Sequence, residues 1–151
     1  MKLYLAHPLV LRKEIREIEL DIEAVTGVEI LNPFYDTGRD DIYEIDAGRK
    51  SREDKGLDYR AIVKKDLGHI AECDGIVSYI EKEVYSLGTL FETWDTMVRY
   101  EDKIIYIVSP DCLMPPWIRY LVDSSRSKGF SSWEDLKCEL LKRKQSELGG
   151  D

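Results

Sequence analysis

The sequence predicts an α/β fold in which a mostly parallel sheet of four to five strands lies between two layers of helices. Three observations carry this prediction. Short apolar runs at 3–6, 28–31, 75–80 and 103–108 have the length of buried strands. Between them lie segments whose apolar residues recur every three or four positions, the period of an amphipathic helix. The first two runs stop at His7-Pro8 and Asn32-Pro33, and the fourth runs into a loop at 110–116, which is how strands end in loops. Strands alternating with helices in this way imply a sheet covered on both faces.

Taken in order, the run at 3–6 is the first strand. Leu11, Ile15, Ile18, Ile22 and Val25 follow at helical spacing with Arg, Lys and Glu between them, and Gly27 is placed to end that helix. The second strand is 28–31. From 36 to 55, twelve of twenty residues are charged, and only Ile42 and Ile45 are sizeable aliphatic side chains. That segment is too long for an ordinary connection and reads as either a functional lid or a partly disordered insertion. Tyr59, Ile62, Val63, Leu67, Ile70 and Ala71 mark a second helix, and 75–80 the third strand. Leu87, Leu90, Phe91, Trp94, Met97 and Val98 mark a third helix opening near Gly88. The fourth strand, 103–108, is the most apolar. Residues 117–122 read as a short helix. Ser131 and Glu134 have capping-box spacing and open a last helix. Residues 144–151 are polar and are expected to fray, leaving one domain over 1–143.

A chain of 151 residues is one domain and can bury about 70% of its unfolded surface without disulfides or metal. With 30 acidic and 22 basic residues the net charge is −8, which argues against a nucleic-acid or anionic-membrane partner. No apolar run approaches the roughly 20 residues of a membrane span, and the N-terminus is too short in its apolar part for a signal peptide. Cys73, Cys112 and Cys138 form no CxxC pair, which fits free thiols in a reducing cytoplasm. His7 and His69 lack metal-ligand spacing, so no metal is expected. There is no Walker loop, GxGxxG or GxSxG. The loop from His7 to Arg12 lacks the Ser, Thr and Gly content that cradles a flavin phosphate, so no cofactor is expected.

In a parallel sheet, ligands bind beyond the carboxyl ends of the strands. That directs attention to His7-Pro8, 32–36, 81–88 and 110–116. The most informative stretch is Ser86-Leu87-Gly88-Thr89-Leu90-Phe91-Glu92, between a strand and a helix. Gly88 would let the backbone approach a ligand. Glu92 would fall in the first helical turn, where the helix dipole favours a carboxylate suited to nucleophilic or general-base work. A competing reading is equally concrete: Thr89 and Glu92 have capping-box spacing, and a glutamate turned back to cap cannot point into a pocket. Asp66 falls at the edge of the second helix's apolar face and reads as a solvated residue or a site residue. Tyr4 reads as core with a satisfied hydroxyl. Phe34 and Tyr35 follow the second strand and could stack on a base or simply pack.

Together these pieces resemble the nucleoside 2-deoxyribosyltransferase family, including its relatives that hydrolyse 2′-deoxynucleoside 5′-monophosphates. The resemblance rests on Leu3-Tyr4-Leu5-Ala6, on Asp66-Leu67 eight residues before Asp74-Gly75-Ile76-Val77, on the Ser86 to Glu92 motif, and on the apolar strand led by Lys103. It covers roughly 1–108, with an echo at Trp117-Ile118-Arg119. It implies a flavodoxin-like or Rossmann-like three-layer sandwich. It also implies that Glu92 attacks the anomeric carbon, that Tyr4 orients Glu92, and that Asp66 holds or protonates the leaving base. A nucleoside or nucleotide and a free nucleobase are the implied partners, in a homodimer or higher homo-oligomer. Where Ser86 stands the transferases carry an acid and the hydrolases a serine, which favours the hydrolases. Yet the hydrolases' glycine, serine and arginine after the first strand, the last two of which bind the phosphate, are here His7, Pro8 and Val10. A serine lent by the neighbouring subunit is replaced near Pro115. Arg12, His7 or Arg119 would have to supply the missing phosphate contacts. These departures favour transfer between nucleobases, with nucleotide hydrolysis as the alternative. A non-catalytic nucleoside-binding module on the same scaffold is the alternative from another class.

Overall fold

The computed structural model describes residues 1–38, 58–84, 86–110 and 116–148. The strands are β1 (Lys2–Ala6), β2 (Glu29–Leu31), β3 (Gly75–Tyr79), β4 (Ile104–Val108) and β5 (Ser127–Phe130). The helices are α1 (Arg12–Thr26), α2 (Tyr59–Glu72), α3 (Leu87–Arg99), α4 (Pro116–Val122) and α5 (Trp133–Leu148), and a 3-10 turn (Leu9–Leu11) precedes α1. All four strand pairings are parallel, in the order β2-β1-β3-β4-β5, which is the flavodoxin-like arrangement.

Alternation along the strands divides the core in two. Leu3, Leu5, Val77, Tyr106 and Val108 face α1 and α5, meeting Ile15, Ile22, Leu136 and Leu140. Tyr4, Ala6, Ile76, Ile105 and Ile107 face the other way, toward Ile70, Met97, Ile118 and Leu121 of α2, α3 and α4. Gly27 ends α1 as expected, at φ 71°, a left-handed conformation that glycine adopts without steric cost. Gly75 is required for another reason: a Cβ there would lie 2.3 Å from the Ile104 carbonyl oxygen.

Several expectations change. The fifth strand, Ser-Lys-Gly-Phe, has too little apolar content to read as one. It is an edge strand, joined to β4 alone. In α1, Val25 is exposed, and the buried stripe is Ile15, Glu19, Ile22 and Thr26. In α2, only Ile70 is buried, while Tyr59 and Val63 are exposed. In α3 the buried face is Thr89, Thr93, Thr96 and Met97, leaving Leu87, Phe91, Trp94 and Val98 exposed. The cap of α5 is shifted by one residue, with Ser132 Oγ accepting from the Asp135 N–H at 3.1 Å. That helix continues through Lys144 to Leu148, where the composition predicts fraying. The charged segment 36–55 lies outside the described residues from 39 onward, as do Cys112, Met114 and Pro115.

Candidate active site

In this strand order the chain leaves β1 and β3 on opposite sides, opening a crevice at their carboxyl ends. Tyr4, at the centre of β1, is wholly buried on the α2–α3 face, and its hydroxyl donates to Glu92 Oε1 at 2.9 Å. The helix α3 starts at Leu87 and is capped by Ser86, whose Oγ accepts from the Thr89 N–H at 3.3 Å. Two expectations are thereby corrected. Glu92 sits in the second turn of α3, not the first, and the cap is Ser86 instead of a Thr89–Glu92 box, because Ser86 is the last residue in extended backbone.

The turn carrying Glu92 is tied to the sheet by hydroxyls. Thr93 Oγ1 donates to the Thr89 carbonyl at 2.6 Å and lies 2.6 Å from Ser78 Oγ of β3, which therefore donates to it. Thr96 Oγ1 donates to the Glu92 carbonyl at 2.7 Å. These back-bonds satisfy the buried hydroxyls of Thr93 and Thr96, whereas the buried Thr89 hydroxyl has no partner among the described residues. Gly88 meets little: a Cβ there would have only Ser86 Oγ nearby, at 3.6 Å, so no described atom of the chain demands a glycine. Asp66 is half-buried in the middle of α2. It shares a helix face with Ile70 at i, i+4 and lies one turn nearer the carboxyl edge, because α2 runs antiparallel to the strands.

His7 and Pro8 are both buried where β1 ends. His7 Nδ1 faces the Pro8 carbonyl at 3.1 Å and Nε2 faces Asn32 Oδ1 at 3.3 Å. Burial lowers its pKa to about 4, against the two acceptors, so the ring is neutral at pH 7 and its one proton serves one of them at a time. Phe34 is half-buried and packs edge-on to His7, with centroids 4.8 Å apart. Tyr35 is exposed, with the Arg16 guanidinium 5.1 Å above its ring. Of the groups expected to stand in for phosphate contacts, His7 is uncharged, Arg12 donates to the Leu9 carbonyl, and Arg119 projects into solvent.

The residue that sequence reasoning missed is Glu19. It is 1% exposed, accepts from Asn32 Nδ2 at 2.6 Å through Oε2, and pairs with Arg16 through Oε1. Burial pushes its carboxyl up to about 7, opposed by Asn32 and Arg16. The sequence carries only a partial signal: position 19 lies between Ile15 and Ile22 at helical spacing, but a charged residue there reads as solvent-facing. Among the described residues, no group of three or more His, Cys, Asp or Glu side chains is placed to hold a metal ion. Nor is any described helix long and apolar enough to cross a membrane.

No family model and no curated protein matches the chain by sequence. In three dimensions it is similar to a 2-deoxyribosyltransferase from the psychrotolerant bacterium Bacillus psychrosaccharolyticus. The TM-score is 0.64 and the identity 19%, over 93% of this chain and 96% of that one. At this identity the likeness is one of fold, and it extends over almost the whole of both chains.

Proposed function

We propose that the protein cleaves the N-glycosidic bond of a (2′-deoxy)nucleoside through a covalent glycosyl-Glu92 intermediate and passes the sugar to another nucleobase. The observation that carries this reading is the Tyr4–Glu92 hydrogen bond, which ties a carboxylate of α3 to β1, one of the two strands at the switch point. The fold it shares with a 2-deoxyribosyltransferase adds support. In the first step a Glu92 oxygen bonds to the anomeric carbon as the carbon–nitrogen bond breaks, and Asp66 donates a proton to the departing base. In the second, a nitrogen of the incoming base attacks the same carbon, Glu92 leaves as a carboxylate, and the base's displaced proton returns to Asp66. Two displacements give net retention, and a carboxylate stabilises the cationic sugar in each transition state. The Tyr4 hydroxyl orients Glu92 and stabilises its charge. His7, Pro8, Phe34, Tyr35, Ser86 and Gly88 are assigned to substrate binding.

A neutral His7 and the engaged Arg12 favour a nucleoside over a 5′-monophosphate, and hence transfer over the nucleotide-hydrolase alternative. The binding-module alternative expects Glu92 to cap its own helix, and Ser86 holds that place. We also propose a homo-oligomer built on the apolar face of α3 and α4. There Leu87, Phe91, Trp94, Trp117 and Tyr120 are exposed, and Trp94 meets Trp117 edge-on with centroids 6.0 Å apart.

The test is chromatography of the protein incubated with deoxyadenosine or deoxycytidine, with and without a second free base. A new nucleoside should form only when the acceptor is present, and Glu92→Gln should lower its rate by at least about a thousandfold. Free base released from deoxynucleoside monophosphates alone would favour the hydrolase. Binding without turnover of any substrate would defeat the catalytic reading.

A further inference from the structure

A carboxylate fully buried in the apolar stripe of an amphipathic helix is costly, because an aliphatic side chain at the same place would pack without desolvating a charge. Glu19 takes that place between Ile15 and Ile22, both of which belong to the α1–α5 core. Its partners show where it acts. Asn32, 0% exposed, donates from Nδ2 to Glu19 Oε2 at 2.6 Å and accepts the Phe34 N–H on Oδ1 at 3.0 Å. This fixes the amide's orientation, since a flipped amide would set an N–H₂ against the Phe34 N–H and an oxygen against the carboxylate. The Asn32 N–H donates to Asp36 Oδ2 at 2.8 Å, and Arg16, paired with Glu19, donates to that same oxygen at 3.1 Å. The turn at 32–36 is therefore held at both ends by one acid–base pair on α1, the buried Glu19 carboxylate and the half-buried Arg16 guanidinium.

We propose that Glu19 is a positioning residue for the substrate wall, acting through the Asn32 amide to hold Phe34 in register beside His7. This rests on the proposed function, which assigns His7 and Phe34 to substrate binding. It predicts that Glu19 governs substrate recognition more than the chemical step.

The proposal carries a pH signature. Among the described residues, the charged groups facing Glu19 are Arg16 and Glu23 on its own helix and Asp36 from the turn, with neutral Asn32 and His7 completing the network. On the α5 side of α1, Lys137 is engaged by Asp21. Protonating Glu19 removes its charge and sets one hydroxyl hydrogen against either Arg16 or the Asn32 amide, which weakens the bond that holds the amide.

The experiment compares wild type, Glu19→Gln and Glu19→Leu. Kinetics with deoxyadenosine and an acceptor base are read beside the amide resonance of Phe34 across pH 5 to 9. Glu19→Leu completes the apolar stripe but leaves the buried Asn32 amide N–H unpaired, so it should fold, with any loss of melting temperature no larger than one unpaired donor explains. Its KM should nevertheless rise about tenfold or more, with kcat within about threefold. Glu19→Gln retains an acceptor for Asn32 and should restore most of the KM. The Phe34 amide should titrate with a midpoint near 7 in wild type and in neither variant. A folded Glu19→Leu protein with wild-type KM would overturn the proposal, as would a Phe34 titration that survives in Glu19→Gln. The two readings separate cleanly. An inactive wild type whose Phe34 amide still follows Glu19 defeats glycosyl transfer and leaves the coupling standing. An active one whose Phe34 amide ignores Glu19 does the reverse.

Discussion

Tyr4 donates its one proton to Glu92, which makes a buried phenol, 88 positions away in sequence, the partner of the proposed nucleophile. A hydrogen bond to a charged group contributes about 1.5–3 kcal/mol. Tyr4→Phe keeps the ring and its packing in the core while removing only that bond. Its transfer rate should fall roughly 10- to 100-fold, with a loss of melting temperature no larger than one hydrogen bond explains. A Tyr4→Phe enzyme at wild-type rate would reduce Tyr4 to core packing. At this scale the sequence was only partly legible. Nothing local says that positions 4 and 92 meet, and their pairing was expected only through the family resemblance. Glu19 was hidden differently: its charge made it look like a solvent-facing residue between Ile18 and Ile22, whereas tertiary packing turned it inward.

The elements differ in legibility for a physical reason. Strands β1 to β4 are covered on one or both faces and so are continuous apolar runs, visible in the sequence. Strand β5 pairs only with β4 and has Gly129 where a Cβ would lie 2.4 Å from Val122 Cγ1, so close packing on α4 required a residue with no side-chain signal. In α3 the more apolar stripe was the wrong one. Thr93 and Thr96 are accommodated on its sheet-facing side because their hydroxyls bond back within the helix or to Ser78, while Leu87, Phe91 and Val98 lie outside. The same logic displaced both caps. Two serines precede α5, and only backbone geometry decides that Ser132, not Ser131, accepts the helix N–H. The end of α3 depends on a residue from a distant element, Arg126, which donates to the Met97 and Tyr100 carbonyls.

For the whole molecule, the exposed apolar face of α3 and α4 predicts association. Phe91→Glu or Trp117→Glu should shift the protein toward monomer in sedimentation, since either buries a charge in the proposed contact. Unchanged mass in both would remove that face from consideration. Stability as a function of pH has a further global property, set by the polar cluster under the 32–37 turn. Outside the fold, a histidine releases its proton near 6.5 and a glutamate near 4.5, whereas inside it His7 is lowered to about 4 and Glu19 raised to about 7. The raised Glu19 contributes stability below about 4.5 that is lost as pH climbs through about 7. The lowered His7 contributes stability above about 6.5 that is lost as pH falls through about 4. The two slopes oppose each other over nearly one window, so wild-type denaturant midpoints should be level there as far as this pair is concerned. Glu19→Gln should expose the histidine slope, with stability rising by up to about 3 kcal/mol between pH 4 and 6.5. A profile in that variant as level as wild type would show that the two side chains do not offset each other. Folding thus trades the proton affinities of an acid and a base, an exchange of one proton that a titration of the intact protein would not register.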